Sequence, residues 1–106
     1  MDELNLYQSL TNSDFVFQTI QQIEKDFMRC DIPINLNNTK NRVDIEESIF
    51  NSIHELSAIK LQQLVYMVDI PEQEFLKIMS KPYYYQSLSE SILRREALKI
   101  YIRKNY

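Results

Sequence analysis

Three consecutive tyrosines, Tyr83, Tyr84 and Tyr85, stand just ahead of a line of cations at helical spacing, Arg95, Lys99 and Arg103. Rings that stack on bases beside cations that hold phosphates are the ingredients of single-stranded nucleic-acid binding. The same rings also suit half-buried helix junctions and protein interfaces, being apolar along the body and polar at the tip. Charge decides between the two. The chain carries 12 Lys and Arg against 15 Asp and Glu, a net charge of −3, so it is no general polyanion binder. From Arg94 onward five cations face one Glu, for +4, while the preceding residues hold seven cations against fourteen acids, for −7. Body and tail attract each other, within one chain or between two copies. The six residues are therefore read as a candidate interaction surface for a protein partner or a second copy, a homodimer. Nucleic acid is the alternative reading.

Other chemistry has little to work with. Metal sites need His, Cys or carboxylates clustered at ligand spacing, and this chain has one His, His54, and one Cys, Cys30. A base at His54 would need a nucleophile or an orienting acid, and the neighbouring Glu55 is expected to diverge from it. Cys30, at the end of a helical pattern, reads as a small buried hydrophobe. Being alone it forms no internal disulfide, which suits a reducing cytoplasm. The adjacent Glu46 and Glu47 diverge on a helix and read as a solvated first turn. Glycine is absent, where average usage near 7% predicts about seven. That excludes the P-loop and the dinucleotide-binding turn, whose backbone must approach a phosphate closely. Eight Asn are at hand for the left-handed positions that glycine usually takes. The expectation is a non-enzymatic protein with no cofactor and no metal.

The elements that must position these residues are helical. At 106 residues, 44% hydrophobic and 25% charged, the chain suits one domain, residues 1–106. Val16, Ile20, Ile23 and Phe27 recur at four, three and four, predicting a helix from about Asp14 to Arg29 with Phe17 and Met28 widening its apolar stripe. Thr11 and Ser13 are its candidate caps, although Leu6 and Leu10 admit a start near residue 3. Residues 30–43 read as an extended arm: Pro33 disfavours helix at Ile32, and Ile32, Ile34 and Leu36 alternate. A second helix is expected from Asp44, whose spacing to Glu47 matches a capping box. Its stripe of Ile45, Ile49, Ile53 and Leu56 gives way to Leu61, Leu64, Val65 and Val68, rotated by roughly 100°. A break near Ser57 explains the jump. Asp69 and Glu72 repeat the capping-box spacing around Pro71, and a short fourth helix follows with Phe75, Leu76 and Met79 inward. The last helix is placed from about Ser87, whose spacing to Glu90 matches one more capping box, to Lys104, with the tyrosines as a bridge.

That last helix changes face along its length. Tyr84, Leu88 and Ile92 form one stripe, and the same line continues as Arg95, Lys99 and Arg103. Leu93, Ala97, Ile100 and Tyr101 form a second stripe on another side. Apolar residues on two sides imply either an oblique path across its own domain or two neighbours, one of them another chain.

The segments YMVDIPEQEF (66–75) and ILRREALKIYIRKNY (92–106) resemble the tail of short bacterial helical proteins of unknown activity. The matching positions are Tyr66, Asp69 and Glu72, then Arg95, Glu96, Lys99 and Arg103. The resemblance covers about the C-terminal 40% and implies a bacterial origin, with no activity to transfer. The opening MDELNLYQ lacks the basic and apolar regions of a signal peptide, and the longest apolar run is Leu64–Val68, so a cytoplasmic protein off the membrane is expected. The fold expected is all-α, a small bundle of four to five helices with one extended arm.

Overall fold

The computed structural model describes residues 6, 8–39 and 41–105. Three side chains start the first three helices. Asn12, Asn41 and Ser57 each offer an oxygen to the backbone N–H three residues on, at 3.1, 2.9 and 3.2 Å. They open α1 (Ser13–Arg29), α2 (Arg42–Ile53) and α3 (Ala58–Val68). The caps expected at Thr11 or Ser13 and at Asp44 are displaced to Asn12 and Asn41. Both asparagines have extended backbone, which aims the side-chain oxygen back at the first turn. Ahead of α1, Leu6 and Leu10 are buried and joined by the Leu10 N–H to Leu6 carbonyl bond at 3.2 Å. The expected alternative start near residue 3 lies outside the described residues.

Two helices stop by the same device. Asp31 after α1 and Asp69 after α3 hold left-handed backbone at φ 55° and 74°. The next residue, Ile32 or Ile70, donates its N–H back to Phe27 or Val65 at 2.9 and 3.1 Å. This is the Schellman closure, with a buried isoleucine as its apolar contact and proline directly after. Asp thus takes two of the three left-handed positions among the described residues, Asn38 the third. Asp69 ends α3 and does not cap the next helix. Pro71 fills that place without a side-chain bond, and α4 is Glu72–Met79. Ile78 is its buried residue, Phe75 and Met79 pack partly, and Leu76, expected inward, is exposed because it sits off the face that Phe75, Ile78 and Met79 share.

The arm behaves as its alternation predicts over residues 32–36: Ile32 and Leu36 are buried, Ile34 is half-buried, and Pro33 and Asn35 are exposed. It ends earlier than expected, since α2 already begins at Arg42. In α1 the buried arc is Phe15, Val16, Thr19, Gln22, Ile23, Asp26 and Phe27. Phe17 and Met28, expected inward, lie on the opposite side and are 58% and 73% exposed. Phe15 takes the slot assigned to Phe17, which turns polar residues of the helix inward.

The last helix, α5 (Tyr84–Asn105), starts three residues before Ser87, so Tyr84 and Tyr85 form its first turn and Ser87 does not cap it. It packs against all four other helices, and α1 also meets α3. Leu88, Ser89, Ser91, Ile92, Leu93, Glu96, Ala97 and Ile100 are all buried, so its middle is enclosed almost all round. The neighbours of both apolar stripes are therefore found within one chain. The protein is all-α, five helices around one core with no strand among the described residues. Its Cα radius of gyration, 13.0 Å, is that of a compact chain of this length, about 13 Å.

Candidate functional site

Where α5 crosses α1 the core is polar. Gln22 and Asp26, one turn apart on α1, face Glu96, Lys99 and Arg103, which recur at three and four along α5. Lys99 is the hub. Its Nζ donates to Asp26 Oδ2 at 2.9 Å and to the Met67 carbonyl of α3 at 3.3 Å, and lies 2.9 Å from Glu96 Oε1. Gln22 Nε2 donates to the other Asp26 oxygen at 3.1 Å, and Arg103 Nη2 donates to Gln22 Oε1 at 2.9 Å. Three helices are joined through one ammonium group.

Two carboxyls and one lysine leave an excess negative charge if both acids ionise, and Glu96 has no exposed surface with which to hydrate it. As a carboxylate, neither Glu96 oxygen has a donor in good alignment. As a carboxylic acid it donates to Asp26 and the problem disappears. Burial, then this bond to Asp26, pushes the Glu96 carboxyl up to about 9, against the opposing pull of Lys99. Burial would push Asp26 up too, but bonds from Glu96, Lys99 and Gln22 overcome it and hold Asp26 below its ordinary value. Burial favours neutral Lys99, yet its two acidic partners outweigh that and raise it. At neutral pH the cluster is an ammonium and a carboxylate with a neutral acid beside them, sharing one proton between two carboxyls. Turnover would require a substrate at these groups. The adjoining groove, about 360 Å³ and lined by Asp14, Phe17, Gln22 and Arg103 among others, reaches only the outer end of the network. The arrangement holds a proton and locks three helices.

The residues singled out in the sequence are scattered differently. Arg95 pairs with Asp69 at 3.3 Å, Lys99 is half-buried in the cluster, and Arg103 is bonded to Gln22. Their neighbours Arg94 and Lys104 meet Glu74 and Asp14. Every cation from Arg94 to Lys104 thus has an intramolecular partner. Tyr83 is 73% exposed, while Tyr84 and Tyr85 are half-buried with ring centroids 4.6 Å apart. His54 stacks on Phe50 at 5.3 Å, and Glu55, expected to point away, reaches its Nε2 at 3.6 Å. Cys30 is buried, which raises its thiol, and its carbonyl accepts from Lys60 Nζ at 2.6 Å. Glu46 is half-buried rather than solvated, and burial raises its carboxyl in spite of Arg42. Among the described residues no group of three or more His, Cys, Asp and Glu could hold a metal ion, and no helix is long and apolar enough to cross a membrane.

Sequence reasoning missed Gln22 and Asp26 and met Glu96 only within a loose motif. The signal was there for Glu96: Ile92, Leu93 and Ile100 stand four and three before it and four after it, so it had to share their buried side. The fold and its polar crossing define a small helical bundle held by a buried charge network. Neither protein-family models nor curated proteins nor solved structures contain a match to this chain.

Proposed function

We propose that this protein acts by binding another protein, a second copy of itself included, through the surface on either side of Asp31. The observation that carries the reading is the contrast between engaged cations and bare apolar side chains. Asp31 lines two adjoining depressions, one with Met28, Pro33 and Ile34, the other with Tyr66 and Met67. Met28 is 73% and Tyr66 86% exposed, against the usual tendency of large apolar side chains to leave water. Aromatic and methionine side chains are enriched where proteins meet. A stable pairing needs about 800 Å² per partner, roughly an eighth of this molecule's 6,805 Å² surface. Nucleic acid would have to displace the partners that Arg95, Lys99 and Arg103 already hold.

Affinity capture from the native cell, with and without nuclease, tests this alongside light scattering after size exclusion. The expected result is a nuclease-resistant partner, or a mass twice the 12.8 kDa of one chain, lost in the double variant Met28→Ala, Tyr66→Ala. A capture that nuclease abolishes, or one indifferent to both substitutions, refutes it.

A further inference from the structure

A further depression, about 570 Å³, lies between α4 and α5 and differs in kind from the apolar surface. Helical spacing builds its walls. Gln73, Glu74 and Lys77 share one side of α4, which Lys81 extends, while Ser87, Glu90, Ser91 and Arg94 share one side of α5. Arg94 and Glu74 satisfy each other across it. What remains is unbalanced. Lys77 and Lys81 have no ion pair among the described residues, in contrast to the cations of α5, and neither has Glu90, which lines the same depression. Ser91 is 5% exposed, and its Oγ has no hydrogen-bond partner, whereas the neighbouring Ser89 hydroxyl bonds the Tyr85 carbonyl at 2.8 Å. A buried hydroxyl without a partner is uncommon, and this one belongs to the wall of an open groove.

The geometry points to a binding site for a small organic phosphate whose remaining part carries hydroxyl groups, a sugar phosphate in chemical class. Two ammonium groups one turn apart complement a phosphate dianion, for which lysine serves as a point charge. Glu90 is the acceptor for the ligand's hydroxyls, and Ser91 completes its hydrogen bonding with one of them. The volume lies within the range of small-molecule sites, about 300–1,000 Å³. This site is independent of the protein-binding surface, sharing no residue with it.

The test is a titration of the full ¹⁵N-labelled chain with glucose 6-phosphate, with glucose and inorganic phosphate as separate arms. Saturable shifts are expected at Lys77, Lys81, Ser87 and Ser91, with a Kd tighter than about 1 mM. Lys77→Gln with Lys81→Gln, both at exposed positions, weakens binding by about tenfold or more with the thermal midpoint unchanged, and Ser91→Ala, which removes a buried hydroxyl without a partner, weakens it by about 2- to 10-fold without lowering the thermal midpoint. No saturable shifts, shifts confined elsewhere, or affinity indifferent to the lysine pair overturns the site. Equal affinity for inorganic phosphate overturns the roles given to Glu90 and Ser91.

Discussion

Replacing Glu96 by glutamine should stabilise the protein at neutral and alkaline pH, although it alters the centre of a polar network. The folded chain keeps the Glu96 proton to about pH 9, while the unfolded chain releases it near the ordinary value of 4.5. A group raised in this way lends its full stability below pH 4.5 and loses it steadily as pH rises towards 9. At about 1.4 kcal/mol per pH unit, the loss is on the order of 3 kcal/mol by pH 7 and 6 by pH 9. Asp26, held low, loses its contribution only as the solution turns acid, and Lys99, held high, only above its ordinary 10.5. Neither masks the slope between pH 5 and 9. Glutamine has the shape of the protonated acid, donates to Asp26 through its amide and accepts from Lys99 through its carbonyl, but has no proton to lose. Urea titrations at each pH read the effect. The wild-type midpoint should fall by about 1.3–2.7 M between pH 5 and pH 7, at a slope of about 1–2 kcal/mol per M, and that of Glu96→Gln should fall much less, keeping only the share that the raised Glu46 carboxyl contributes. A flat wild-type profile, or a variant that falls in parallel, would refute the shared proton.

Lys99→Met removes the cation between two buried acids and should cost about 3–5 kcal/mol, whereas Arg95→Ala, which frees the exposed Asp69, should cost no more than about 1 kcal/mol. Thermal unfolding of the two side by side checks the contrast. Asp31→Gly and Asp69→Gly relieve left-handed backbone and should be neutral or stabilising by up to about 1 kcal/mol each, while Asp31→Val should lose about 1–2 kcal/mol by chemical denaturation.

Much of the fold was legible because its repeats are apolar. Ile45, Ile49 and Ile53, then Leu61, Leu64, Val65 and Val68, are buried where their spacing put them, and the jump between the sets marks the break that Ser57 caps. What escaped was the rotation of α1. Its pattern tolerates two choices of inward side, and with Phe15 inward the Asp26 and Gln22 that come with it meet Lys99 and Arg103 of α5. A polar residue reads as exposed until its partner is known, and these partners stand more than seventy residues away in sequence. The complementary charge of body and tail anticipated attraction between them without saying which acid meets which cation. Likewise the two-sided apolar pattern of α5 was visible, but whether its second neighbour was its own chain depended on packing.

The central place of α5 bears on how the chain is made. Ile45, Ile49 and Ile53 of α2 are covered in the finished molecule largely by a helix whose buried span extends to Ile100. Translation at about 5–20 residues per second separates Ile53 from Ile100 by roughly 2–10 s. A twelve-residue helix such as α2 is marginal by itself over that interval. The emerging polypeptide therefore carries three uncovered isoleucines for several seconds, a stretch open to a ribosome-associated chaperone over that interval.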